Sequence, residues 1–461
     1  MAPRTRSHTK TEASVEPPPT PPSWKKPHPT ANGTHDHQPH FEFFGPYLGP
    51  IGIMIGLPLV CYALVYVCNG DGCLHLYPNT TVPGFPANQR LFTLEATAVF
   101  LAWMAFQLTL HLILPGTKFE GVQLPNGKRL TYKLNGELVF WITTAVLLFF
   151  GFYTNTLNLS WAYDNYVPLL TASVAFSTLL SIYLYATSFA QGAVLAAGGS
   201  TGVPLYDFFI GRELNPRIGS LDLKEFCELY PGLIGWLALN LAMIHKQYYT
   251  NVGGTAGSIG AVSPALLLVT AFQGLYVWDA LHHEPAILTT MDITTDGFGF
   301  MLAFGDLTWV PFTYTLQPRI LTTHSPVLPP WAILGLIALN GVGYATFRGA
   351  NSQKDLFRRE PNHPKVATLR TLPTKRGTRL IVSGWWGIAR HINYFGDWVM
   401  GWAWCLPAGF GSVIPFFYVM YFGALLVHRD RRDDAACRIK YGKDWDRYCK
   451  LVRYRIVPFI Y

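Results

Sequence analysis

Apolar runs of bilayer-spanning length follow one another through most of this chain, and that pattern leaves few ways to fold. Lipid gives backbone N–H and C=O groups no partner, so a spanning run must satisfy its own backbone and is read as a helix. The first run, GPIGIMIGLPLVCYALVYV, ends at Val67. LEATAVFLAWMAFQLTLHLIL ends at Leu114, and ELVFWITTAVLLFFGFYTNTL ends at Leu157. The run from Val167 to Ala197 is longer than one span needs, which predicts a tilted or broken helix. Further runs begin near Gly232, Ala261, Gly297 and Pro330, and a last apolar region from about Trp398 to Val427 is long enough for a hairpin. Between eight and ten spans result, an all-α polytopic membrane protein. The composition agrees: 50% of residues are hydrophobic and only 13% charged, against roughly 25% charged in soluble proteins. The polar, Pro-rich beginning has no short apolar core of the signal-peptide kind, so insertion is expected to depend on the first span.

The net charge of +8 follows topology. Arg4, Arg6, Lys10, Lys25 and Lys26 precede the first span. Lys118, Lys128, Arg129 and Lys133 lie in the second loop, and Arg212, Arg217 and Lys224 in the fourth. The first loop holds only Arg90 and the third none. Positive loops face the cytosol, so the even-numbered loops and the N-terminus are placed there. An even number of spans brings the basic C-terminal tail to the same side. Charge scattered over loops, with no folded basic module, argues against a nucleic-acid partner. Cys68 and Cys73, in the first loop and so on the lumenal side, are placed where a disulfide can form. Asn79-Thr80-Thr81 in that loop is a glycosylation sequon.

Three regions are expected: a disordered cytosolic tail over residues 1–40, a multi-span membrane domain over 41–347, and a region over 348–461 that combines the last helices with the charged tail. The tail's His35, His37 and His40 lack the companions of a metal site and read as solvated. From Arg348 to Leu380 the chain turns polar and basic, too long for a tight loop.

Two constellations carry chemistry. Lys354, Arg358, Arg359, Arg390, Arg429, Arg431, Arg432, Arg438 and Lys440 are cations suited to phosphate. Asp433 and Asp434 among them suit a nucleotide, whose hydroxyls and amide need acceptors. A solvated helix face on the cytosolic side accounts for the same cations. GVGYAT at Gly341 and GFGFML at Gly297 lie in apolar runs without a preceding strand, so they read as helix-packing glycines and not as a dinucleotide fingerprint. The second constellation is a density of acids at a membrane boundary: Asp279, Glu284, Asp292, Asp296 and Asp306. Acids at membrane depth default to function. Asp292 and Asp296 read as a polar loop, whereas Asp279, His283, Glu284, Asp306 and Tyr314 fall within or beside apolar segments, where a proton-donor role is open. Trp278, Trp309, Phe312 and Tyr314 would line helix contacts, and their faces would stabilise a developing carbocation.

FFIGRELNPRIG (Phe208 to Gly219), NSQKDLFRR (Asn351 to Arg359), SGWWGIARHINYFGD (Ser383 to Asp397) and the tail from Leu425 together resemble the sterol reductase family of the endoplasmic reticulum. LDLKEFCELYPGLIGW and WCLPAGF are most similar to its delta-14 branch. The resemblance covers nearly everything from Phe41 to Tyr461. It implies about ten transmembrane helices with a C-terminal, cytosol-facing NADPH-binding region. It also implies a multi-pass endoplasmic reticulum protein with both termini cytosolic. The family's cofactor contacts fall on Lys354 and Arg358, then on Ile381 (where relatives often have Leu), Trp386, Asn393 and Tyr394. In the tail they fall on Arg429, Asp433, Cys437, Arg438, Lys440, Tyr441 and Tyr448. The implied reaction is NADPH-dependent reduction of the 14,15 double bond of a delta-8,14 sterol. A general acid protonates the alkene and hydride quenches the resulting cation, with Glu284, Asp306, Tyr314 and Tyr276 as candidate donors. The sterol would enter from lipid, and other sterol-biosynthesis enzymes are candidate partners. The alternatives are a delta-7 or delta-24(28) reductase of the same family, a methyltransferase of the isoprenylcysteine type, and a non-catalytic sterol-binding scaffold. The complete cofactor set favours an enzyme.

Overall fold

The computed structural model describes residues 41, 43–69, 72–73, 90–124, 127–250 and 257–461. The expected N-terminal tail and the sequon at Asn79 lie outside them. Among the described residues, seven helices are long and apolar enough to cross a membrane: Leu48–Tyr66, Leu94–Ile113, Gly136–Tyr153, Tyr166–Thr187, Leu223–Thr250, Pro264–His282 and Pro330–Arg359. Local chemistry sets their starts. Thr93 accepts the N–H of Ala96 at 3.1 Å ahead of Leu94–Ile113, and Ser263 accepts that of Leu266 at 3.2 Å with Pro264 next in line, so each first turn has an N-cap and the second a pre-set φ.

Three further helical stretches fall short of that length. Phe300–Tyr314 is interrupted by a π-helical turn at Gly305–Trp309. Ile392–Cys405 has 14 residues, about 21 Å at 1.5 Å per residue. Phe417–Tyr441 is a single helix that is apolar only as far as Val427. The last apolar region was expected to begin near Trp398; the helix begins at Ile392, because the second half of the aromatic stretch forms its opening turn. The expected boundary at residue 347 falls inside Pro330–Arg359. The polar residues after it extend that helix, where Asp355 and Arg359 pair at 2.9 Å with i,i+4 spacing.

The centre of the bundle is Leu223–Thr250, whose most apolar 18 residues are 78% buried, against 28% for those of Leu48–Tyr66 at the periphery. It carries a π-helical turn of its own, Glu228–Ile234, around Pro231, and Gly136–Tyr153 ends in a third, Phe149–Tyr153. Contacts between helices use small hydroxyls: Ser173 Oγ donates to the Leu307 carbonyl at 2.7 Å, and Tyr166 to that of Phe312 at 2.6 Å. The short hairpins lie between helices. Cys68–Asn69 pairs with Gly72–Cys73, closed by a Cys68–Cys73 disulfide. Thr117–Gln123 pairs with Arg129–Leu134, Arg217–Ile218 with Leu221–Asp222, and Thr371–Pro373 with Arg379–Ile381.

Candidate functional site

Two glycines set the geometry of the C-terminal half. Gly343 of Pro330–Arg359 and Gly396 of Ile392–Cys405 pack backbone to backbone. A Cβ on Gly396 would lie 2.6 Å from the Phe347 amide and 2.7 Å from the Gly343 carbonyl. This close crossing brings Phe347, Asn393, Tyr394 and Asp397 to one wall of a cavity of about 300 Å³. Phe417–Tyr441 adds Phe422 and Arg429, and Pro264–His282 adds Tyr276. The π-helical turns Glu228–Ile234 and Gly305–Trp309 contribute Glu228 and Asp306, and Tyr314 follows about two helical turns after Asp306. The extra residue in a π turn re-aims side chains, and such turns are concentrated at functional sites.

The lining is aromatic with a few polar groups. Trp236 stands edge-on to Tyr314 at 5.2 Å, and Tyr276 edge-on to Trp404 at 5.3 Å. Tyr276 donates to Asp397 Oδ2 at 3.4 Å. Two buried oxygens, Asp397 Oδ1 and Asn393 Oδ1, have no partner, although buried acceptors are nearly always matched. Both belong to residues that line the cavity, where a polar ligand would complete them.

Of the four candidate donors, Tyr276, Asp306 and Tyr314 share this lining. Glu284 is elsewhere: its carboxylate accepts the Gly136 N–H and the Tyr230 hydroxyl, each at 3.0 Å. Burial pushes it up to about 7, against those two bonds, which draw it down. Asp279 is held by Arg348 and Tyr344. Asp397 and Glu228 were missed by the sequence reading. Asp397 closes the quoted stretch SGWWGIARHINYFGD, and the signal was an acid entering an apolar run.

The candidate cofactor residues form three groups. Asn393, Tyr394 and Arg429 line the cavity; Tyr394 donates to Asp433 at 3.4 Å and Arg429 pairs with Asp292 at 3.3 Å. Lys354 lies with its ammonium 4.0 Å above the Trp386 ring, and the Trp386 indole donates to the Ala350 carbonyl beside buried Ile381. Arg358 is exposed one turn further along. In the tail, Cys437 and Tyr441 pack around Tyr448 and Trp445, and the Lys440 ammonium lies 5.1 Å from the Tyr441 ring. Arg438 is bound to Asp434 and Asp446 at 3.0 and 3.1 Å, so its charge is already matched within the chain.

A second cavity of about 590 Å³, nearly all apolar, lies on the far side of the same central helices. Pro231, Gly235, Leu307 and Pro311 face it. Their neighbours Glu228, Trp236, Asp306 and Val310 face the smaller one.

A multi-helix membrane protein with a buried, aromatic and acidic cavity beside a cation-rich surface is the class these features define. Residues 37–461 match the Ergosterol biosynthesis ERG4/ERG24 family. The chain belongs to that family. It is 45% identical to "Delta(14)-sterol reductase erg24" of Schizosaccharomyces pombe over 91% of this chain and 97% of that one. It is 44% identical to "Delta(14)-sterol reductase" of Ascobolus immersus over 91% and 99%. With "Delta(14)-sterol reductase TM7SF2" of Mus musculus it shares 45% over 92% and 98%.

Proposed function

We propose that this chain is a delta(14)-sterol reductase that reduces the 14,15 double bond of a delta-8,14 sterol with NADPH. The observation that carries the reading is one cavity that joins acids and tyrosines (Tyr276, Asp306, Tyr314, Asp397) to cofactor candidates (Asn393, Tyr394, Arg429). The relatives' names agree with it.

The residues present fit the cofactor. Lys354 and Arg358 supply charge for phosphates, Trp386 and Ile381 an apolar surface, and the unmatched Asn393 Oδ1 an acceptor for an amide N–H. NADPH, when bound, supplies the hydride. The chain's part is the proton. With Oδ2 engaged by Tyr276, Asp397 as a carboxylic acid donates from Oδ1 to one alkene carbon, and the other carbon takes the hydride. The aspartate is then reprotonated from solvent. Asp306 and Tyr314 complete the donor set, and the surrounding rings stabilise the cation formed between the two steps. Counting the three shorter helices with the seven longer ones gives ten spans. They alternate so that the second, fourth, sixth and eighth loops face the side of the basic tail. That side is the cytosol, and the membrane is the endoplasmic reticulum.

The test supplies membranes containing the protein with a delta-8,14 sterol and either NADPH or NADH, and reads products by gas chromatography–mass spectrometry. Delta-7 and delta-24(28) sterols run in parallel. NADPH-dependent loss of the 14,15 bond alone is expected. Turnover of another substrate would move the reaction within the family, and no turnover by folded protein would leave a sterol-binding scaffold.

A further inference from the structure

One short segment between helices, Asp292–Asp296, is gripped from two sides. On one side its backbone carbonyls converge on a single cation. The Lys224 ammonium donates to the carbonyls of Asp292, Ile293 and Asp296 at 2.6, 3.1 and 2.8 Å. An ammonium has three N–H donors, so all three are used, and Lys224 itself is 0% exposed. On the other side the segment's carboxylates face the tail helix. Asp292 Oδ2 lies 3.3 Å from Arg429 and Asp296 Oδ1 lies 3.6 Å from Arg432. These two arginines sit one helical turn apart, and Arg429 lines the smaller cavity.

Two of the motifs quoted above, GRELNPRIG and LDLKEFCELYPG, build this grip. Asp222 caps the helix that presents Lys224, accepting the N–H groups of Lys224 and Glu225 at 3.2 and 3.1 Å, and Arg217 holds its other oxygen at 3.2 Å. Asn215 donates to the Ile293 carbonyl at 3.3 Å. Gly211, at φ +95, lies so close to the next segment that a Cβ there would sit 2.4 Å from the Gly299 amide. Side chain, cap and backbone all fix the same few residues.

We propose that Lys224 is a positioning residue for the cofactor end of the cavity: by fixing Asp292–Asp296, it aims Arg429 and Arg432. The inference rests on the cavity's being the NADPH-dependent site. A guanidinium pinned by one carboxylate keeps its other N–H groups directed at a second acceptor. Without the lysine the three carbonyls lose their donor, the segment shifts, and Arg429 follows Asp292.

Lys224→Met, Asp292→Asn and the double variant are compared as full chains in lipid nanodiscs. NADPH binding is followed by fluorescence, and KM is measured for NADPH and for the delta-8,14 sterol. Each single variant is expected to raise KM and Kd for NADPH about tenfold or more, with the sterol KM unmoved. The double variant should be no worse than the weaker single, because both act through Arg429. Asp292→Asn leaves the lysine and the carbonyls in place, so it decides the matter if Lys224→Met fails to fold. Unchanged NADPH affinity in Asp292→Asn, or additive losses in the double variant, would overturn the inference. If the parent protein neither binds nor uses NADPH, it is the underlying reading that fails.

Discussion

Asp397 and Glu284 are both buried carboxyls, and their surroundings give them different work. Asp397 has one oxygen on Tyr276 and the other unmatched beside the cavity. Both Glu284 oxygens are taken, by Tyr230 and by Gly136, so Glu284 anchors the start of Gly136–Tyr153. Asp397→Asn should therefore lower kcat by about 10²- to 10⁴-fold, the range of a lost general acid, while sterol still binds. Glu284→Gln should retain most turnover and lose thermal stability instead. Product analysis with a melting curve on each variant separates the two. Glu284 was visible in the sequence as an acid at a membrane boundary, and Asp397 only as the last residue of a quoted stretch. Their roles were not, because the direction of each carboxyl depends on which distant backbone amide or hydroxyl meets it.

At the scale of elements, the Gly343–Gly396 crossing sets the site. Small residues let helix backbones approach closely in lipid, and here the approach places Asn393 and Asp397 opposite Tyr276. Gly396→Ala would force the pair apart, since the nearest atoms are backbone and cannot swing away. Turnover should fall by more than about tenfold through misplacement alone, with the protein still inserted in membranes. Gly341, two residues from Gly343, meets nothing, so Gly341→Ala should be nearly silent. The paired assay tests the crossing. Gly341 and Gly343 were legible as packing residues, but not which of them touches, nor that Gly396 is the partner. Nor did periodicity show the π-helical turns at Glu228 and Gly305, whose i→i+5 register only tertiary packing selects. Pro231 was the one local hint.

For the whole molecule, the long apolar runs made the helical class readable, and the basic loops predict a direction. What the sequence left open was depth and breakage: the short Ile392–Cys405 and the interrupted Phe300–Tyr314 are largely buried against neighbouring helices. The disulfide hairpin of Cys68–Asn69 and Gly72–Cys73 marks one end, pinned by buried Arg319, which donates to the Cys68 carbonyl at 2.8 Å. The candidate cofactor residues lie with the loops of opposite parity. NADPH added outside sealed, cytosol-side-out vesicles should support full turnover, since the cofactor is too charged to cross. Activity that appears only after permeabilisation would reverse the orientation.

The two cavities share a partition one helix thick. Along it, Gly235 faces the apolar chamber and Trp236 the acidic one, as do Pro311 and Val310. A molecule lodged in the apolar chamber would lean on the backbone that carries Glu228 and Asp306. Pressure on one face of that wall would be read on the other as a displacement of the two carboxyls, with no side chain passing between the chambers.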